Sequence, residues 1–179
     1  MIANILNALT LSRILCAILI YLILYLESNY PLALFLFFIA SFSDFLDGYL
    51  ARRTNSVSVL GEILDPIADK LLILFVLIGL SINLDSFLIG FISAVIISRE
   101  VWVAALRDIN ARNNQSNKTK VTFLAKTKTT IQMFSILIYL TGLTLNNMTV
   151  LFFADIFLII ALLITIQTGL QYTILTFKK

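Results

Sequence analysis

The chain has 179 residues, 60% of them hydrophobic and 13% charged, with a formal net charge of +3 and a mean hydropathy of +0.99. A soluble domain carries about a quarter charged residues, so a water-soluble core is excluded in favour of helices that meet lipid. Histidine is absent and Cys16 is the sole cysteine, which excludes Cys/His zinc centres, Ser-His-Asp triads, a Cys-His pair and any internal disulfide. Acid–base or metal chemistry must then come from carboxylates, lysines or tyrosines, and carboxylate-only sites favour hard cations such as Mg²⁺ or Mn²⁺.

In chain order, six apolar blocks are long enough to cross a bilayer: Ile5–Leu26, Pro31–Ala51, Ile63–Ile82, Phe87–Leu106, Val121–Leu143 and Val150–Leu175, since about 20 residues at 1.5 Å each match a hydrocarbon core of about 30 Å. The first is too long for a signal-peptide apolar region and has no small-residue cleavage site, so it counts as a span. Cys16 lies inside it and reads as packing. The connections near Glu27–Tyr30, Asn83–Ser86 and Thr144–Thr149 contain neither lysine nor arginine, and all thirteen basic residues fall on the other side. The positive-inside rule makes that side cytoplasmic, with both termini inside. The expectation is an all-α integral membrane protein of six transmembrane helices, one domain over 1–179, with a polar metal site facing the cytoplasm. The longest polar stretch, Arg107–Lys120, reads as a loop. No nucleic-acid partner is expected.

The second block ends SFSDFLDGYLARR and the third opens GEILDPIADKLL. Asp44 lies roughly 12 Å along a helix before Arg52, inside the cytoplasmic half of its span. An aspartate there costs about 2.5–3.5 kcal/mol on insertion scales, so such residues face a bundle interior or a wet cavity and mark function. Asp44, Asp47, Gly48 and Ala51 share one helix face, and Gly61, Asp65 and Asp69 share one face of the next. A short turn through Thr54–Val59 predicts antiparallel neighbours whose acidic faces converge. Four carboxylates in one cavity repel one another unless cations sit between them. Gly48, Ala51 and Gly61 could simply allow close helix packing, but beside four aspartates they leave room for a bulky ligand.

The pattern Asp44-x₂-Asp47-Gly48-x₂-Ala51-Arg52-x₈-Gly61-x₃-Asp65-x₃-Asp69 resembles the signature of the CDP-alcohol phosphatidyltransferase family. The resemblance implies transfer of a phosphatidyl group from CDP-diacylglycerol to an alcohol with release of CMP. It implies two divalent ions, Mg²⁺ or Mn²⁺, on Asp44, Asp47, Asp65 and Asp69, with Asp69 also taking the proton from the acceptor hydroxyl. Gly48, Ala51, Arg52 and Gly61 would border the cytidine and pyrophosphate. The opening Asn7-Ala-Leu-Thr10-Leu-Ser-Arg13 is similar to the family's N-terminal Asn-x-Leu-Thr-x₂-Arg element, with Leu6 where a proline is usual, and adds Asn7 and Thr10 to that set. A homodimer is expected with it; the short chain without a transit peptide points to the bacterial inner membrane, and the distribution of lysine and arginine to a cytoplasmic site.

Arg99-Glu100 with Ala105-Leu106-Arg107, the run Leu64-Asp65-Pro66-Ile67-Ala68-Asp69-Lys70, and Lys126-Thr-Lys128-Thr129 with Gln132-Met133 resemble the phosphatidylglycerophosphate-forming branch, with Ala125 where a glycine is frequent. The resemblance runs through about Met133, and the last span is generic apolar sequence. That branch uses sn-glycerol-3-phosphate, for whose phosphate Arg99, Arg107, Lys126 and Lys128 are the candidates. Lys118 and Lys120 are read as topology alone. The alternatives are another acceptor (serine, inositol phosphate or a lipid) and, from a different class, a divalent-cation transporter. A transporter needs acids along a crossing path, whereas Asp155 is the one acid within a span toward the outer side, and it is assigned no role.

Overall fold

A computed structural model of the chain describes residues 2–54, 59–119 and 123–178, the side chains of 2–6, 44–54, 59–60, 62, 116, 123 and 125–126 lying outside the described set. The described residues form six α-helices: α1 Ile2–Leu26, α2 Tyr30–Thr54, α3 Val59–Asn83, α4 Phe87–Arg112, α5 Phe123–Thr144 and α6 Met148–Phe177. A 3-10 turn, Ser116–Thr119, sits between α4 and α5, and no strand occurs among the described residues. Among the described residues, three helices carry stretches long and apolar enough to cross a membrane, namely Asn7–Leu26, Phe87–Arg112 and Met148–Phe177, and Tyr30–Ser43 is a shorter apolar stretch. In lipid a chain must satisfy its own backbone polar groups, and long uninterrupted helices do so. Pro66 lies within α3 and gives up one backbone donor there.

The stretch expected as a loop after Leu106 is largely ordered. Helix α4 continues to Arg112, and the 3-10 turn follows. Lys118 donates to the carbonyls of Thr176 and Lys178 at 3.4 and 3.1 Å, so it caps the C-terminal end of α6, where unsatisfied carbonyls favour a cation.

Helix α1 lies against α3 and α2, α5 against α6 and α2, and α4 against α6 and α3. The stripe Thr10, Arg13, Ala17, Ile20, Leu24 of α1 is buried, while Leu15, Leu19, Leu22 and Leu26 point outward. Large apolar side chains on the outside, such as Phe35 and Phe38 of α2, Phe152 and Phe153 of α6 and Phe91 of α4, suit a surface that meets lipid and would be a liability in water. Small residues set the close approaches. A Cβ on Gly79 would come within 3.1 Å of the Leu24 side chain and 3.5 Å of the Tyr21 Cα, so α1 and α3 nearly touch there.

Among the described residues, four that are not glycine have positive φ: Ser28, Asp85, Asn114 and Asn146. Each follows a helix end, and the next amide, or its own in the case of Ser28, reaches back five residues, as in Ser28 N to Ile23 O, Ser86 N to Ser81 O, Gln115 N to Asn110 O and Asn147 N to Gly142 O. These bonds satisfy carbonyls that the last helical turn leaves open. Helices α1 and α2, α3 and α4, and α5 and α6 are thus joined by tight turns. Asn83 ties two of those turns together by donating to Leu24 O and Ser28 Oγ, each at 2.8 Å, and by accepting from the Tyr30 hydroxyl.

Candidate active site

The core-facing stripe of α1 ends in two polar residues, and they meet the acidic face of α3. Thr10 Oγ1 donates to Asp65 Oδ1 at 2.7 Å, and Arg13 Nη1 donates to Asp69 Oδ1 at 2.8 Å. The Arg13 side chain is fully buried, whereas Asp69 is partly exposed. A buried guanidinium requires a counter-charge in the interior, and Asp69 supplies it. Gly61 and Ala68 are buried on the same side of α3. The α3 part of the sequence expectation therefore forms one surface, Gly61, Asp65 and Asp69, aligned by α1. Asn7 lies one turn before Thr10 on α1.

The convergence expected of the acidic faces of α2 and α3 falls on side chains outside the described set. Among the described residues, α3 packs chiefly on α1 and α4, and α2 on α1 and α5, so α1 is wedged beside both. Asp44, Asp47, Gly48, Ala51 and Arg52 lie on α2 and Lys126 on α5, with side chains outside the described set. Among the described residues no group of three metal-ligating side chains occurs. The donor chemistry still fits a hard divalent ion. Asp65 and Asp69 offer carboxylate oxygens one helical turn apart, and each is oriented through one oxygen by a second residue, as metal-ligating carboxylates commonly are.

A second charged cluster begins at the next residue of α3. Glu100 of α4 accepts from Arg99 Nη1 at 2.8 Å and from the Lys128 ammonium of α5, and its other oxygen lies 3.5 Å from Lys70 Nζ. Arg99 also donates from Nη2 to Thr168 Oγ1 of α6 at 2.9 Å and lies over the Tyr172 ring, with Arg107 5.7 Å from the same ring. Arg99 can cross α6 because Gly169 has no side chain; a Cβ there would stand 3.1 Å from Arg99 Cγ. Of the four phosphate candidates, Arg99 and Lys128 are brought together. Arg107 is exposed and lies 5.7 Å from the Tyr172 ring.

A cavity of about 180 Å³ between α3, α4 and α5 joins the two clusters. Asp69, Lys70, Glu100 and Lys128 line its polar part, and Leu74, Leu77 and Ile96 are among its apolar walls. Sequence reasoning missed Glu100 and Lys70 as site residues, and it missed the polar stripe of α6. The signals were present. Glu100 is an acid inside an apolar block, which carries the same insertion cost as Asp44. Thr165, Thr168, Gly169 and Tyr172 recur at i, i+3, i+4, i+7, and Gln132 Nε2 donates to Thr165 Oγ1 at 3.3 Å, so the last helix is not generic. Asp155 has a partner well away from this cluster, accepting a hydrogen bond from the buried Tyr139 hydroxyl.

A family model described as CDP-alcohol phosphatidyltransferase matches residues 3–167. A CDP-diacylglycerol–glycerol-3-phosphate 3-phosphatidyltransferase of Rickettsia bellii (strain RML369-C) is 41% identical over 174 residues, covering 94% of this chain and 93% of the relative. Proteins with the same description from Haemophilus influenzae (strain ATCC 51907 / DSM 11121 / KW20 / Rd) and Escherichia coli (strain K12) are 35% and 34% identical. The former comparison covers 82% of this chain and 78% of the relative, the latter 74% of each.

Proposed function

The chain belongs to the CDP-alcohol phosphatidyltransferase family, and on that premise we propose that it transfers the phosphatidyl group of CDP-diacylglycerol to sn-glycerol-3-phosphate, giving phosphatidylglycerophosphate and CMP. The descriptions of the relatives support the acceptor. The observation that carries the reading is the shared cavity, which Asp69 lines together with Lys70 and Lys128. A carboxylate suited to take a proton thus stands beside cations suited to hold a phosphate.

In this reading the acceptor hydroxyl oxygen forms a bond to the phosphatidyl phosphorus, the bond from that phosphorus to the CMP oxygen breaks, and the hydroxyl proton passes to Asp69. Mg²⁺ or Mn²⁺, two ions held by Asp44, Asp47, Asp65 and Asp69, would neutralise the pyrophosphate and the leaving CMP. Thr10 and Arg13 keep the α3 carboxylates aimed. Asn7, Thr10, Gly48, Ala51, Arg52 and Gly61 border the cytidine and pyrophosphate, and Arg99, Arg107, Lys126 and Lys128 receive the acceptor phosphate. All six helices span the bacterial inner membrane with both termini and the site at the cytoplasmic face, as the distribution of lysine and arginine supports. The donor's acyl chains stay in lipid while its charged head reaches the interface. A homodimer is part of the same family expectation.

The test is CMP release by the detergent-purified protein from CDP-diacylglycerol with Mg²⁺ or Mn²⁺. Glycerol-3-phosphate is compared with serine, inositol phosphate, glycerol and phosphatidylglycerol, with Asp69→Asn alongside. Release driven by glycerol-3-phosphate and lost in Asp69→Asn is the expected result. Release driven by another acceptor would keep the family and overturn the acceptor. No metal-dependent release with any acceptor would return the argument to cation transport.

A further inference from the structure

Arg99 and Glu100 are sequence neighbours on α4, and side chains at i and i+1 of a helix point about 100° apart. Nevertheless Arg99 Nη1 meets Glu100 Oε1 at 2.8 Å, so both side chains bend into one crevice. Lys128 of α5 bonds the same oxygen, and Lys70 of α3 approaches the other at 3.5 Å. One carboxylate therefore gathers cations from three helices. The side chains of Lys128, Arg99 and Glu100 are 3%, 8% and 18% exposed, and that of Lys70 is 45% exposed. Lys70, at the wettest edge, follows Asp69 directly on α3 and lines the same cavity.

The charges of this group do not cancel. Arg99, Lys128 and Lys70 oppose a single carboxylate, leaving an excess of two positive charges in a largely dry place. Isolated charge there is costly, so the cluster has a standing demand for a dianion. Arg99 Nε, buried, meets no acceptor among the described residues. Glu100 could have been omitted if positive charge alone were wanted, since it weakens the pull on any anion. Its geometry gives it another use. Three flexible or forked cations of like charge repel one another and would splay, and the carboxylate holds their donors to one side of the cavity until a ligand arrives.

We infer that Glu100 is a positioning residue for the acceptor's phosphate, holding Lys128, Arg99 and Lys70 in a shared arrangement that a phosphate monoester dianion completes. This inference rests on the glycerol-3-phosphate reading above and deepens it. Glu100 touches no reacting atom; it acts through the cations it holds, and Lys70 joins the phosphate-binding set.

Electrostatics and positioning predict opposite outcomes for Glu100→Gln. The substitution raises the local charge from +2 to +3, so a site governed by charge alone would bind glycerol-3-phosphate more tightly. Positioning predicts that the KM for glycerol-3-phosphate rises on the order of tenfold, the magnitude expected when hydrogen bonds to charged groups lose their alignment. The KM for CDP-diacylglycerol stays where it was, and kcat changes less than the acceptor KM rises. Glu100→Asp, which restores charge with a shorter reach, recovers part of the loss. Lys70→Gln, at the exposed edge, raises the acceptor KM without burying an orphaned charge and so covers the case in which Glu100→Gln does not fold. An acceptor KM that stays level or falls in folded Glu100→Gln or, if that variant does not fold, in Lys70→Gln, overturns the positioning role while the wild-type acceptor preference stands. A wild-type protein that ignores glycerol-3-phosphate and uses another acceptor overturns the underlying reading and this inference together.

Discussion

Replacing Thr10 by valine removes one hydroxyl and almost no volume, at a residue that is 1% exposed. The hydroxyl donates to Asp65 at 2.7 Å, and hydrogen bonds to charged acceptors are worth about 1.5–3 kcal/mol. Asp65 is only half-buried, so water recovers part of the loss and the expected cost falls to about 1–2 kcal/mol. If Asp65 is a metal ligand, that cost appears in ion affinity, where loss of an outer-shell partner typically weakens binding about 10- to 100-fold; the partial exposure puts this case at the lower end. The assay is a Mn²⁺ titration of the purified protein, followed both by thermal stability and by CMP release. The midpoint of the Mn²⁺-induced rise in Tm should move to higher concentration by about tenfold, and the activity midpoint should move with it. A Thr10→Val protein with the wild-type Mn²⁺ midpoint in both readouts would refute the claim that α1 orients a ligand on α3.

Arg13→Lys keeps the charge but loses the planar fork that reaches Asp69; CMP release at saturating substrates should fall about 10- to 100-fold, and full activity would show that charge alone suffices. Gly79→Val forces a branched side chain against Leu24 and the Tyr21 backbone, an overpacking that costs about 1–3 kcal/mol and should lower Tm, with the KM of each substrate unchanged in the folded fraction. Tyr139→Phe strips the partner from Asp155 and should cost about 1–3 kcal/mol of stability. Its KM for glycerol-3-phosphate should stay at the wild-type value, because the pair sits apart from the charged cavity, and a shifted KM would connect the two.

The aspartates of α3 were readable because residues four apart share a face whatever surrounds the helix, so Asp65 and Asp69 had to look the same way. That they meet α1 was not readable. Helices bound for lipid are apolar nearly all round, as α1 and α6 are, and such a pattern does not name the buried side. The pairing is decided by small residues and polar contacts, here Gly79 against Leu24 and Thr10 and Arg13 against the two carboxylates. The basic candidates show the same limit. Arg99 and Lys128 were chosen by charge and resemblance, but Glu100 gathers them by bonding its neighbour Arg99 and, 28 residues along the sequence, Lys128. Lys118 was set aside as topology, and its bonds to the end of α6 give it a structural use.

The tight turns divide the chain into three helical hairpins, α1–α2, α3–α4 and α5–α6, and both charged clusters of the site are joined across hairpins. Arg13 on the first meets Asp69 on the second, and Glu100 and Arg99 on the second meet Lys128 and Thr168 on the third. During synthesis the first pair is complete before Asp69 has been translated, and the second before Lys128 and Thr168 have been. Each of these contacts therefore waits on the hairpin that follows. Biogenesis should be ordered and chaperone-sensitive at these two junctions, and a chain truncated after α4 should be degraded even though both of its hairpins are complete.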